Sequence, residues 1–199
     1  MRTGRLEAFS DGVFAIAATL LIIDVGVDVH EQRLGDALAH AWPEYAAYAV
    51  SFLTIGVMWV NHHATIDLVG RVDRGFLFLN VGLLLCVAFV PFPTRLLAEF
   101  VRTHDARDAA LAYGGTLVVT AIFFQAHWFY AVGRGLIRED ADPRAVAGIS
   151  RAFRPGVPIY AAATALAFVT PWLSVALFAG LTLFYMVESS LLGARAGRS

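Results

Sequence analysis

A few polar side chains stand where the sequence is otherwise apolar. Ser10 and Asp11 head one apolar run; Trp59, Asn61, His62 and His63 close a second; Asn80 sits near the start of a third. Cys86 is the single cysteine, so no intrachain disulfide or thiolate metal site can form. It reads as a small core residue. Two adjacent histidines invite a metal or haem reading. On a helix, however, neighbours point ~100° apart, and the His-x-x-x-His spacing with a glutamate is missing. An intramembrane enzyme or haem protein would need His62, His63 and His127 together. The expectation is no metal, no cofactor and no catalysis. The same groups read instead as a buried polar network, with proton sensing open to the histidines because they titrate near neutral pH.

The elements that must carry these groups are membrane helices. The 199 residues are 58% hydrophobic and only 16% charged, against roughly 25% charged in soluble domains. No basic block suggests nucleic acid. Arg2 and Arg5 are followed by Glu7 and Asp11, so the first segment reads as an uncleaved helix and not a removed signal. Six apolar segments can be drawn at roughly 6–28, 43–67, 75–98, 108–132, 154–170 and 172–192. Pro43 suits a helix start, and Pro91 and Pro93 should kink the third segment. Pro155 and Pro158 open the fifth. Thr170-Pro171-Trp172 leaves only a tight turn between the last two, and Gly133 to Arg154 reads as a loop. The reading is therefore all-α: one integral membrane domain over 1–199, six helices, both termini on one side.

Arginine sets the orientation, because the chain has no lysine. The side with the termini would hold Arg2, Arg5, Arg71, Arg74, Arg134, Arg138, Arg144, Arg151, Arg154, Arg195 and Arg198. The other would hold Arg33, Arg95, Arg102 and Arg107. Eleven against four places the termini in the cytoplasm. Trp42, Tyr45 and Trp172 outside, and Trp128 and Tyr130 inside, fit aromatic belts. At that orientation Ser10, Asp11, Trp59, Asn61, His62, His63, Asn80, Gln125 and His127 share one layer near the cytoplasmic side. Unpaired polar groups in hydrocarbon cost several kcal/mol each, so they should bond to one another.

The first segment organises the rest. Gly12 to Ile23 carries no charge, and Asp24 and Asp28 follow. As a helix it aligns Ile16, Leu20, Ile23 and Val27 in one stripe. Phe9 and Gly12 extend the stripe and Thr19 flanks it. Phe14, Ala18, Leu21, Ile22 and Val25 form an apolar opposite side.

Arg5-x-x-x-Phe9-Ser10-Asp11, followed by Ala15-Ile16-Ala17-x-Thr19-Leu20-Leu21, resembles the first-helix signature of the transmembrane-protein-175 potassium channel family. Phe-Ser-Asp occurs once, as in the single-repeat bacterial members. The resemblance implies a homotetramer whose first helices line the pore, passing potassium and other monovalent cations across a bacterial plasma membrane. It assigns the constriction to Ile16, Leu20 and Ile23 and a selectivity role to Thr19. It also implies an anchor formed by Arg5, Phe9, Ser10 and Asp11 with Trp59, Asn61, His62, His63 and Asn80. Thr19 bonding its own helix carbonyl is the local alternative. Asp24 and Asp28 would gather cations at the outer mouth, or simply be solvated carboxylates. No Thr-Val-Gly-Tyr-Gly filter is present, so potassium-over-sodium preference would be modest. The rival reading is a secondary transporter or proton-coupled membrane protein using the His/Asp network, but no inverted repeat is visible.

Overall fold

The computed structural model describes residues 4–26 and 33–196, without the side chains of Asp24 and 188–196. Among the described residues every regular element is helical, apart from one isolated bridge between Val69 and Ile137. α1 spans Gly4–Leu20 and tightens into a 3₁₀ turn over Leu21–Asp24. α2 is a short helix at Leu34–His40, ahead of α3 at Trp42–Ile66. α4 (Arg74–Phe89) and α5 (Pro91–Phe100) follow, then α6 (Ala106–Gly133). α7 is Pro143–Phe153 and α8 is Gly156–Ala165, continued by a 3₁₀ turn over Leu166–Phe168. α9 is Pro171–Ala196.

Three stretches are long and apolar enough to cross a membrane: Gly4–Ile23, Arg74–Phe100 and Ala106–Gly133. The second joins α4 and α5 across Pro91. Proline lacks the amide proton the ladder needs and crowds the preceding turn, so the helix breaks at Val90 and resumes at once. Two departures from the sequence reading stand out. Gly133 to Arg154 is not simply a loop, because it contains α7. The connection between α1 and α3 also contains α2. Both are short amphipathic or mixed segments that an apolar-run reading passes over.

α6 is the hub, packing against α4, α5, α8 and α9, while α1 lies across α3 and α4. The main core joins Phe14, Ala17 and Leu21 of α1 to Ile55, Leu83, Val87, Leu117 and Phe178. A smaller core at one end gathers Leu6, Ile66, Val69, Val72, Phe76, Ala131 and Leu136. Gly114 lets α6 approach α8 and α9 closely: a Cβ there would lie 2.8 Å from the Phe178 ring. Gly135 ends α6 at φ +62°, a left-handed turn that glycine adopts without steric cost. The turn is pinned to the α3–α4 loop by the Gly70 amide donating to Leu136 O and the Arg138 amide donating to Leu68 O.

Candidate ion pathway and its anchor

α1 has two unlike faces. Leu6, Ser10, Phe14, Ala17 and Leu21 recur every three or four residues and are buried against α3 and α4, with Phe14 and Leu21 each 2% exposed. On another face, Phe9, Ile16 (61% exposed), Leu20 (41%) and Ile23 (73%) are exposed. Thr19 flanks that face and is also exposed. Its hydroxyl donates to Ala15 O and Ile16 O, both at 3.0 Å. Of the side assigned to packing, Phe14 and Leu21 are buried and Ala18 and Val25 half-buried, but Ile22 is exposed. The Asp24 side chain and all of Asp28 lie outside the described residues.

Ser10 sits on the buried face and starts a chain of hydrogen bonds. Its hydroxyl donates to Leu6 O at 2.9 Å and accepts from Asn80 Nδ2 at 3.1 Å. Asn80 Oδ1 lies 2.8 Å from His62 Nε2. All three side chains are fully buried. This pairing makes His62 Nε2 the proton donor, because an amide oxygen only accepts. One residue on, Asp11 is half-buried and accepts from the Trp59 indole at 2.9 Å. α1 is thus tied to α3 and α4 through side chains from its first turns.

Phe14 and His127 flank His62, with ring centres 5.3 and 5.9 Å away. His127 is buried against Phe76, and its Nε2 has no hydrogen-bond partner among the described residues. His63 turns away from His62. It stacks on Trp59 and lies 3.5 Å from Glu7 and 3.7 Å from Asp67. The two histidines therefore join different environments, as their helical offset requires. Asn61 and Gln125 do not join this cluster; they face a cavity between α3, α6, α8 and α9. Arg5 and Phe9 are exposed, and neither bonds to the cluster.

The sequence reading missed a second polar cluster toward the other end. Thr94 donates to Ser51 at 2.9 Å, and Ser51 donates to Tyr113 at 3.2 Å, tying α3, α5 and α6 together. The signal was there in small hydroxyls inside apolar segments, but single serines and threonines usually satisfy themselves on their own helix. Outside the apolar spans, Asp73 caps α4 by accepting from the Phe76 amide at 2.8 Å and also accepts from Tyr130 at 3.1 Å. That amide bond is the main cause holding its carboxyl below the ordinary range; Tyr130 and Arg134 add to it.

Nothing in this arrangement resembles a nucleophile with an activating base. What it offers is a rigidly anchored helix with a bare apolar face. Residues 5–91 match the family model described as the endosomal/lysosomal potassium channel TMEM175. The chain is 43% identical to a potassium channel of Chamaesiphon minutus over 193 residues, covering 94% of this chain and 95% of that one. It is 46% identical to a potassium channel of Streptomyces collinus over 190 residues, covering 92% and 91%. The crystal structure of a lysosomal potassium-selective channel TMEM175 homolog from Chamaesiphon minutus superposes with a TM-score of 0.86 at 42% identity, covering 94% of this chain and 97% of that one.

Proposed function

The chain belongs to the TMEM175 channel family, and from that premise we propose that it is a potassium-permeable cation channel whose pore is lined by α1. The observation that carries the reading is the bare face of Phe9, Ile16, Leu20 and Ile23 on a helix whose other side is locked into the protein. One chain supplies one such face. A closed ring needs several, so the channel is a symmetric homo-oligomer, and the family points to a tetramer. The same reading gives six membrane crossings in the plasma membrane, termini in the cytoplasm, and Ser10 and Asp11 near that side.

Ile16 to Ile23 covers seven residues, or roughly 10 Å of helix axis. Stacked isoleucine and leucine rings of that length form a narrow tube whose barrier is wetting and ion dehydration. No carbonyl cage replaces the hydration shell. Preference for potassium over sodium then follows from potassium's lower dehydration cost and is modest. Thr19 is the polar group nearest the rings, and its lone pairs are available to a passing ion even while its proton is held by the helix carbonyls. Asp24 and Asp28 would raise cation concentration at the outer mouth. The His62–Asn80–Ser10 chain and the Asp11–Trp59 bond serve as the anchor against which the pore helix is set.

The test is a planar bilayer with purified protein, potassium on one side and sodium on the other. Current that reverses at a potential favouring potassium supports the reading; absent current, or transport that saturates like a carrier, contradicts it. A second measurement addresses the mouth. Changing Asp24 and Asp28 together to Asn should lower conductance at ~0.01 M salt and have little effect at ~0.15 M, where screening hides surface charge. Equal conductance at low salt would remove them from the pathway.

A further inference from the structure

The corner between α7 and α8 combines two features. The first is cationic. Arg144, Arg151 and Arg154 are exposed, and none lies within ion-pair distance of a carboxylate among the described residues. Arg151 donates only to Ala147 O, at 3.3 Å. The nearby Arg134 and Arg138 differ, being matched to Asp73 and Asp140. The second is a cavity of about 110 Å³ behind the same corner, the one that Asn61 and Gln125 face; its wall is mostly apolar, through Leu117, Ala121, Phe124 and Phe153, with Thr120 among its polar groups.

Residues 151–156 join the two. Ala152, Phe153 and Gly156 are cavity wall, while Arg151 and Arg154 face outward between them. Gln125 holds the corner in place by donating to Phe153 O at 2.6 Å and Arg154 O at 3.3 Å. On α7's inner side Ser150 accepts from the Trp128 indole at 2.9 Å, and Phe153 packs edge-on against Phe124 and Trp128. α7 therefore lies along the bundle with its arginines turned away from it. A basic amphipathic helix in that position reads as a membrane-surface element.

We propose that this corner seats one anionic phospholipid of the leaflet on the side of the termini, its phosphate on Arg151 and Arg154 and part of one acyl chain in the cavity. A cavity of ~150 Å³ takes up a molecule the size of benzene. The space here accordingly accepts a few methylenes and not a whole lipid, leaving the headgroup at the surface where the guanidinium groups are. Anionic headgroups are favoured over zwitterionic ones because the arginines have no carboxylate of their own to satisfy them. The assignment of the leaflet rests on the orientation proposed above; the seat itself does not.

The experiment reconstitutes the full chain in vesicles of roughly equal parts phosphatidylcholine and phosphatidylglycerol. The protein is re-extracted in mild detergent, and retained lipid is counted by mass spectrometry of the intact assembly. Wild type should retain phosphatidylglycerol in preference to phosphatidylcholine. Arg151→Gln with Arg154→Gln should lower that retention by on the order of tenfold, whereas the double lysine variant should keep it. Ala121→Leu and Ala152→Leu, which narrow the cavity without touching charge, should each lower it too. Arg107→Gln, at the far end of the bundle, should not. Equal retention in the double glutamine variant would overturn the proposal. So would loss in that variant with full retention in both leucine variants, which would leave surface charge without a seat.

Discussion

Asn80 bonds on both sides, to Ser10 through its amide nitrogen and to His62 through its oxygen. Replacing it with Ala strands the buried His62 Nε2, which costs ~1–3 kcal/mol when unsatisfied, and takes away the donor to Ser10, whose own proton stays on Leu6 O. Asn80→Ala should lower the thermal midpoint of the purified assembly markedly while leaving the reversal potential of surviving channels unchanged. A shifted reversal potential at normal stability would mean that the cluster acts on ions and not on the fold. These residues were legible in the sequence because an asparagine and a histidine in apolar runs at equal depth must find partners. Depth does not fix direction around the helix, however. Asn61 and Gln125 share the layer and face a cavity, and His63 pairs with Glu7 and Asp67 instead of joining His62.

The elements were readable where length and hydropathy speak and obscure where they do not. α1, Arg74–Phe100 and α6 stand out as long apolar runs. α7 was hidden because it is short and its larger apolar residues, Val146, Ile149 and Phe153, are spaced among arginines and small residues, although Asp142-Pro143 is a helix-start signal. Asp142 in fact caps α7 by accepting from the Arg144 amide at 2.9 Å. Asp73 does the same for α4 and carries a pH prediction. Its folded-state pKa lies below the ordinary 3.8. The cap's contribution is then fully present above 3.8 and is lost as pH falls through the depressed value. Thermal stability of wild type should decline below pH ~3.8 more steeply than that of Asp73→Asn; parallel curves would show that the cap is not the titrating contact. The α6 contact makes a separate test. Gly114→Leu forces α8 and α9 off α6, because even a Cβ meets Thr164 and Phe178. It should prevent a folded assembly, seen as loss of the monodisperse peak on size exclusion, whereas Gly115→Ala, with open space at its Cβ, should leave that peak intact.

At the scale of the molecule, one chain presents an apolar face on α1 that it does not cover itself. Stripes such as Ile16, Leu20 and Ile23 ordinarily pack inside a bundle, and the sequence alone could not separate that outcome from pore lining. In the fold the buried stripe of α1 is another one, through Ser10, Phe14, Ala17 and Leu21. The central claim is that the bare stripe surrounds the ions. A polar side chain there should ease wetting and lower the dehydration barrier, raising current and weakening preference for potassium. The most direct measurement is the reversal potential and current under opposed potassium and sodium gradients for Ile16→Asn, Ile23→Asn and Leu21→Asn. The account predicts that Ile16→Asn, and Ile23→Asn beside it, carry more current with a reversal potential moved toward zero. Leu21→Asn should only reduce the yield of assembled protein, with the surviving channels keeping wild-type preference. A shifted reversal potential in Leu21→Asn, with the two isoleucine variants unchanged in current and preference, would contradict it and put the pore on the other side of α1.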